Sequence, residues 1–154
     1  MLRNFLRTHH DLGLTVLRLV LGIVFFAHGA QKVLGWFGGY GFAATLQGMS
    51  SMGLPKAIVL LVMAAEFGGA LLLIFGALTR LGALGVTAVM VGAIATVHHK
   101  FGFFMNWSGQ QPGEGFEYHL LALAMAVALL ISGGGAFSVD HALTEPRTGM
   151  RRAA

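Results

Sequence analysis

The chain has 154 residues, of which 56% are hydrophobic and 10% are charged, and its formal net charge is +4. A soluble domain carries about 25% charged residues, so this chain cannot cover itself with polar surface and lipid must be its main solvent. Its basic residues are too scattered for a nucleic-acid patch. The sequence contains no cysteine, which excludes a disulfide framework, an iron–sulfur cluster held by this chain and thiol–disulfide exchange by its own residues.

The first long apolar segment predicts a transmembrane helix at about residues 12–34. Its length of about 20 apolar residues, without an Ala-x-Ala site at its end, favours a retained signal-anchor helix over a cleaved signal peptide. Ionisable groups inside such a helix cost roughly 2.5–3.5 kcal/mol each near the bilayer centre, so they should face other helices or a cavity. The helix nevertheless carries four polar residues: Arg18, His28, Gln31 and Lys32. Helical periodicity places Arg18, His28 and Lys32 on one side.

Three more apolar segments predict helices at about 55–78, 81–98 and 116–132. In the glycine-rich stretch before the second of the four helices, Phe42, Leu46 and Met49 recur at helical spacing, which predicts a short amphipathic helix at the membrane surface. The predicted fold is an all-α integral membrane four-helix bundle. It forms a single domain over residues 1–143, followed by a polar tail at 144–154.

The distribution of basic residues predicts the orientation of these helices. Because cytoplasmic loops are enriched in lysine and arginine, we expect both termini of this multi-pass protein in the cytoplasm. Six arginines lie on the side of the termini: Arg3, Arg7, Arg80, Arg147, Arg151 and Arg152. The other side has the three lysines Lys32, Lys56 and Lys100.

Glu66 is the residue in the second helix that most needs a partner. It lies near the middle of an apolar segment, where an unpaired carboxylate is costly. At about 1.5 Å of rise per residue, Arg18 and His28 lie roughly 8–9 Å to either side of it in depth, and Arg18 can reach it if the first two helices are neighbours. Two interpretations stay open: a structural Arg18–Glu66 pair that fixes helix register, or a proton-handling carboxylate beside a ligand pocket.

A second group of polar residues lies at the predicted outer level. His28, Gln31 and Lys32 end the first helix, and the third and fourth helices bring His98, His99, Glu117 and His119. Together they could bind a small polar head, with the histidines as donors or proton shuttles and Glu117 as the counter-ion of Lys32. The aromatic run that ends at Trp107 could close over a flat hydrophobic ligand. Haem or copper is a weaker alternative, because no two histidines stand four apart on one helix, and we assign no metal ligands.

These residues resemble the DoxX family. The likeness rests on Arg18, Gly22, His28, Gly29 and Lys32 in the first helix. It continues with Glu66-Phe67-Gly68-Gly69, Gly76 and Thr79-Arg80, and with the ending Gly133-Gly134-Gly135-Ala136-Phe137-Ser138-Val139-Asp140. The resemblance covers about residues 14–143. It implies a four-helix inner-membrane protein in a quinone-linked redox or detoxification setting, since the family takes its name from a membrane subunit of a thiosulfate:quinone oxidoreductase. Four site residues carry over from it: Arg18, His28, Lys32 and Glu66.

We therefore expect a bacterial inner-membrane protein that binds a quinone-type ligand in a polar pocket near the outer face. Glu66 and His28 are the candidate catalytic residues. The candidate ligand-binding residues are Arg18, Gln31, Lys32, His98, His99, Trp107, Glu117 and His119. Two alternatives stay open: a non-catalytic anchor or assembly subunit of an oxidoreductase, and a proton-coupled transporter or channel. The expected partners are the lipid bilayer, a redox protein and further copies of the chain, but not nucleic acid.

Overall fold

The computed structural model of the protein describes residues 2–145, and the regular secondary structure in this range is all helical, without a strand. The prediction of an all-α fold is therefore confirmed. The predicted tail beyond residue 145, with three of the six arginines used to predict orientation, lies outside the described residues. Eight α-helices are described: α1 Leu2–Leu6, α2 Leu12–Val33, α3 Gly41–Ser51, α4 Lys56–Met63, α5 Gly69–Phe75, α6 Thr79–Thr96, α7 Glu117–Ser132 and α8 Val139–Thr144.

Three of the helices are long and apolar enough to cross a membrane. They are α2, the continuous helix Lys56–Phe75 that contains α4 and α5, and α6. Helix α7 is apolar but has only 16 residues. The short helix expected before α4 is present as α3, whose Thr45 is buried.

The long helices pack side by side in an antiparallel order. Helix α2 contacts α5 and α7, and α6 contacts α5 and α7. Their shared core consists of apolar side chains that are almost fully buried, among them Phe25, Leu73, Val86 and Leu129. Elsewhere many large apolar side chains face outward, such as Leu61, which is 65% exposed. This arrangement suits a protein whose surroundings are hydrocarbon. We call its two ends the Arg18 end and the Lys32 end, after these residues of α2.

A π-helical turn, Ala64–Gly68, joins α4 to α5 and contains Glu66. Such turns insert an extra residue into an α-helix and often occur at functional sites. Helix α2 approaches this turn closely at Gly29, where an added Cβ would lie 2.6 Å from the Phe67 backbone. Two helical turns before Gly29, a Cβ added at Gly22 would be similarly close to Ile74. Glycine at these positions lets the two backbones meet, as is common between helices in lipid.

Arg18 is 1% exposed and binds only backbone carbonyls in the described part of the chain. Its guanidinium donates to Leu73 and Ile74 in the last turn of α5, and to Gly134 and Phe137 in the loop after α7. The last carbonyls of a helix lack intrahelical partners and carry partial negative charge, so a cation is favourable there. Arg18 thus ties three segments together at its end of the protein.

Two other charged residues hold the Arg18 end in the same manner. Asp140 in α8 accepts hydrogen bonds from the backbone N–H groups of Leu78 and Thr79, each at 2.8 Å, and so caps the start of α6. Arg80 donates to the carbonyls of Leu130 and Ile131 in α7 and to those of two residues near the N-terminus. The loop after α7 is therefore fixed to α2, α5 and α6.

We predict that Gly29→Ala destabilises the protein by about 1–3 kcal/mol, because the new methyl group must displace the backbone of the π-helical turn. Gly92→Ala is the matched control. It lies in α6 with nothing within 4 Å of an added Cβ, and alanine favours a helix over glycine by up to about 1 kcal/mol. Thermal unfolding in detergent or nanodiscs measures both. Equal melting temperatures for the two variants would contradict the close contact at Gly29.

Candidate functional site

The partner of Glu66 is Lys32. The carboxylate, which lies on the π-helical turn, is 5% exposed, and its Oε2 is 2.5 Å from the Lys32 ammonium. The predicted Arg18–Glu66 pair is therefore wrong. The fourteen residues from Arg18 to Lys32 correspond to about 21 Å of helix. The Arg18 guanidinium donates to nearby carbonyls of α5 instead. Glu66 therefore pairs with Lys32, at the other end of α2.

Two polar side chains in the first turn of α7 have buried, unpartnered atoms at the same end of the protein as this ion pair. They are the Tyr118 hydroxyl and His119 Nδ1. Tyr118 is close enough to Glu66 for their charges to interact, and His119 is in similar range of His28. Buried polar atoms nearly always have a hydrogen-bond partner, so these two neighbouring residues are candidates to bond a polar ligand or water.

His119 is also packed against His98. The centroids of the two imidazole rings are 4.0 Å apart, and His119 is 5% exposed whereas His98 is half-buried. His98 begins the 3-10 turn His98–Phe101 after α6, and its Nδ1 lies 2.8 Å from the carbonyl oxygen of Glu114. A carbonyl only accepts, so this contact places the proton of the neutral ring on Nδ1 and leaves Nε2 as the acceptor.

His28 lies one helical turn before Lys32 and is within electrostatic range of both Lys32 and Glu66. Its side chain is exposed at the surface of the helix assembly. It therefore lies near the ion pair at the surface, whereas the Tyr118 hydroxyl and the His119 side chain are buried. The catalytic roles of His28 and Glu66 stay predictions.

Glu117 does not pair with Lys32, so the predicted counter-ion was wrong. Its Oε1 accepts hydrogen bonds from the Met105 backbone N–H at 2.8 Å and from Trp107 Nε1 at 3.1 Å. The aromatic segment before α7 is thus fastened to the start of α7, one residue from Tyr118. Trp107 itself is 88% exposed and offers its ring face to the surroundings.

Two further predicted ligand residues form hydrogen bonds with nearby backbone carbonyls. Gln31 donates to the carbonyl of Phe37 in the loop after α2, at 3.2 Å. His99 is exposed, and its Nδ1 lies 3.1 Å from the carbonyl oxygen of Ile94 near the end of α6. Together with Arg18, they do not contribute to the group around Glu66.

The residues that the structure brings together form one cluster, which we call the polar cluster: His28, Lys32, Glu66, His98, Tyr118 and His119. The sequence analysis did not select Tyr118 as a candidate site residue. The available signal was its position next to His119 in the first turn of an otherwise apolar helix.

No group of three or more metal-binding side chains is arranged to hold an ion within residues 2–145. A surface groove of about 600 Å³ lies apart from the polar cluster, between α3 and the start of α4. Phe42, Leu46, Ser50 and Lys56 are among its lining residues.

Comparison with known proteins places this helical architecture in a family. The DoxX family model matches residues 13–99. This chain belongs to the DoxX family. The matched range contains His28, Lys32, Glu66 and His98, whereas Tyr118 and His119 lie beyond it.

Two curated relatives extend the likeness over most of the chain. A protein of Escherichia coli (strain K12) named "Inner membrane protein YqjF" is 33% identical over 135 residues, which cover 88% of this chain and 95% of the relative. A protein of Bacillus subtilis (strain 168) named "Putative oxidoreductase CatD" is 31% identical over 130 residues, or 84% and 86% of the two chains. No solved structure matches. The family and the apolar helices together make this DoxX-family chain a membrane protein.

We predict that Lys32→Met destabilises the protein by about 3–5 kcal/mol, because it leaves the Glu66 carboxylate buried without its cation. Adding Glu66→Gln should recover much of that loss, since the buried charge is then removed. Lys100→Met, at an exposed lysine of the same end, is the matched control. Unfolding free energies of the two single variants and the double variant measure this coupling. Strict additivity would contradict the ion pair.

Proposed function

We propose that this DoxX-family protein is a four-helix bundle of the bacterial inner membrane, with α7 as its fourth span and the Lys32 end facing outward. The packing of α7 against α2 and α6 and its apolar composition support the fourth span. Arg3, Arg7 and Arg80 at the Arg18 end support a cytoplasmic position for that end under the positive-inside rule.

Within this architecture, the protein binds a small hydrophobic ligand of the quinone type at the polar cluster. The observation that carries this proposal is the pair of unpartnered buried atoms, the Tyr118 hydroxyl and His119 Nδ1, at the same end of the protein as the Lys32–Glu66 ion pair. A quinone offers carbonyl oxygens to hydrogen-bond donors and an apolar ring to the helices. A phenol hydroxyl and an imidazole N–H are suitable donors.

The cluster also suits the proton chemistry of such a ligand. A bound quinone takes up two electrons and two protons when it is reduced, and the electrons would come from a redox partner protein. Glu66, His28 and His119 can each hold or release a proton, and Lys32 favours negative charge next to it. The word "oxidoreductase" in the name of the Bacillus subtilis relative agrees with a redox setting.

We predict that Tyr118→Phe and His119→Gln each weaken the binding of a short-chain ubiquinone or menaquinone analogue about tenfold. This factor corresponds to the loss of one hydrogen bond of roughly 1.4 kcal/mol. Tyr40→Phe and His99→Gln are matched controls, because both residues are exposed and lie at the same end. Isothermal titration or ligand-induced thermal shift of the purified protein measures the affinities.

Saturable binding that is equally strong in all four variants would place the ligand elsewhere. The absence of binding would favour the anchor alternative, provided that a soluble dehydrogenase co-purifies with the protein. The exposed Trp107 next to the cluster is a suitable contact for such a partner. Pumping or leakage of protons by proteoliposomes, lost in Glu66→Gln, would instead favour the transporter or channel alternative.

The proposed orientation predicts opposite labelling of two engineered cysteines, which is a clean test because the chain has none of its own. Ser108→Cys, in the exposed loop before α7, should react with an impermeant maleimide on intact spheroplasts. Ala142→Cys, exposed on α8 at the Arg18 end, should react only after the membrane is permeabilised. The reverse pattern would invert the topology and move the polar cluster to the cytoplasmic side.

A further inference from the structure

The surface groove between α3 and the start of α4 has no role in the proposed function. It shares no lining residue with the polar cluster, and its volume of about 600 Å³ is within the range of ligand sites in proteins. Helix α3 packs against α2 and α4, and α4 begins the membrane-crossing helix Lys56–Phe75. The groove therefore lies at the level where phospholipid head groups surround the end of a membrane-crossing helix.

The lining of the groove is apolar at one end and polar at the other. Phe42, Leu46 and Ser50 line it at i, i+4 spacing, so they form one row along α3. The row extends over about 12 Å, from a phenyl ring to a hydroxyl group. Residues 52–55 join the end of α3 to Lys56, whose exposed side chain adds a positive charge at the polar end. Such a lining matches a ligand with a polar head and an apolar chain.

The Ser50 hydroxyl is the donor at this polar end that still lacks an acceptor. It is buried and has no hydrogen-bond partner within residues 2–145. The neighbouring Ser51 also lines the groove, but its hydroxyl donates to the Gln47 carbonyl oxygen at 2.9 Å. Buried hydroxyl groups nearly always have a partner, and rotation about χ1 allows Ser50 to donate to a head group in the groove.

The charge around the groove favours an anionic head group. Lys56 is the only charged residue in the segment 33–65, and the ion pairs formed within the described range do not include it. A phosphodiester offers one negative charge to Lys56 and acceptor oxygens to the Ser50 hydroxyl. A zwitterionic head group would bring a second cation toward Lys56, and this segment has no carboxylate to accept it.

We propose that the groove binds one anionic phospholipid from the adjacent leaflet, with a head group of the phosphatidylglycerol type that carries a single negative charge. Its phosphate accepts hydrogen bonds from Lys56 and Ser50, and one acyl chain lies against Phe42 and Leu46. This inference depends on the membrane location of the chain. It depends neither on the quinone site nor on which end of the protein faces outward.

Native mass spectrometry of the full-length protein in a mild detergent tests the head-group contact. The probes are dioleoyl phosphatidylglycerol and dioleoyl phosphatidylcholine, which have the same acyl chains. We expect saturable binding of one phosphatidylglycerol, weakened about fivefold in Lys56→Gln and retained in Lys56→Arg. This factor corresponds to about 1 kcal/mol, the attraction of one lysine near the surface for anionic lipid. Lys100→Gln, at an exposed lysine of the same end, is the matched control.

The two adjacent serines provide a second comparison. Ser50→Ala should also weaken phosphatidylglycerol binding about fivefold, because it removes a hydrogen bond to the phosphate. Ser51→Ala should leave binding unchanged, because the hydroxyl that it removes is already bonded to the Gln47 carbonyl oxygen. Without lipid, Ser50→Ala should melt no lower than the unmodified protein, since its hydroxyl has no partner to lose.

Equal affinity for the two lipids would overturn the proposal, as would equal affinity in Lys56→Gln and Lys100→Gln. Displacement of the lipid by excess glycerol 1-phosphate would indicate a site for soluble phosphate and would overturn the lipid assignment. Tyr118→Phe, which tests the quinone site, should leave phosphatidylglycerol binding unchanged. A loss in that variant would place the lipid at the polar cluster instead. The lipid site and the quinone site can therefore fail independently.

Discussion

The structure depends on one constraint: each charged group that lies among apolar helices must find its partner inside the protein. Hydrocarbon offers none, and an unpaired charge at that depth is costly. Two different solutions are present. Arg18 uses several donors at once and binds carbonyls that helix geometry leaves free. Lys32 has a compact ammonium group and binds one carboxylate, Glu66. These two residues join α2 to α5, to the π-helical turn and to the loop after α7.

The contact between α2 and the π-helical turn makes the Lys32–Glu66 pair possible. Gly29 lets the backbone of α2 lie against that of Phe67, and Glu66 precedes Phe67. One turn further along α2, Lys32 then stands within reach of the carboxylate. A larger residue at Gly29 would separate the helices. The Lys32–Glu66 ion pair therefore depends on a small, uncharged residue at this helix contact.

The same constraint divides the protein into a fixed end and a chemically available end. At the Arg18 end, charged side chains saturate helix termini and a loop, which leaves them no further capacity. The Lys32 end contains, besides the ion pair, a hydroxyl and an imidazole nitrogen without partners, and a second imidazole at the rim. Unpaired polar atoms in a buried place are unfavourable unless something binds there. The Tyr118 hydroxyl and His119 Nδ1 therefore support a ligand site at the Lys32 end.

The sequence by itself determined the class of this protein. Apolar segments of membrane-crossing length and the low charge content predicted the helices, because a helix satisfies the backbone polar groups of such a segment internally in lipid. The sequence also pointed to Lys32, Glu66, His98 and His119 as residues that apolar surroundings would not tolerate without a reason. The short helix before α4 was predicted by periodicity alone.

Only the tertiary structure decided which polar groups meet. Arg18 and Lys32 both lie on the side of α2 that faces its neighbours, and depth alone made Arg18 an acceptable partner for Glu66. The choice fell to Lys32 because the end of α5 offers Arg18 free carbonyls, while Gly29 brings Glu66 close to Lys32. Tyr118 was overlooked for the same reason: its burial depends on the packing of α7 against α2. Helical periodicity specifies the direction of a side chain, but its partner depends on which helix is adjacent and how closely the two backbones approach.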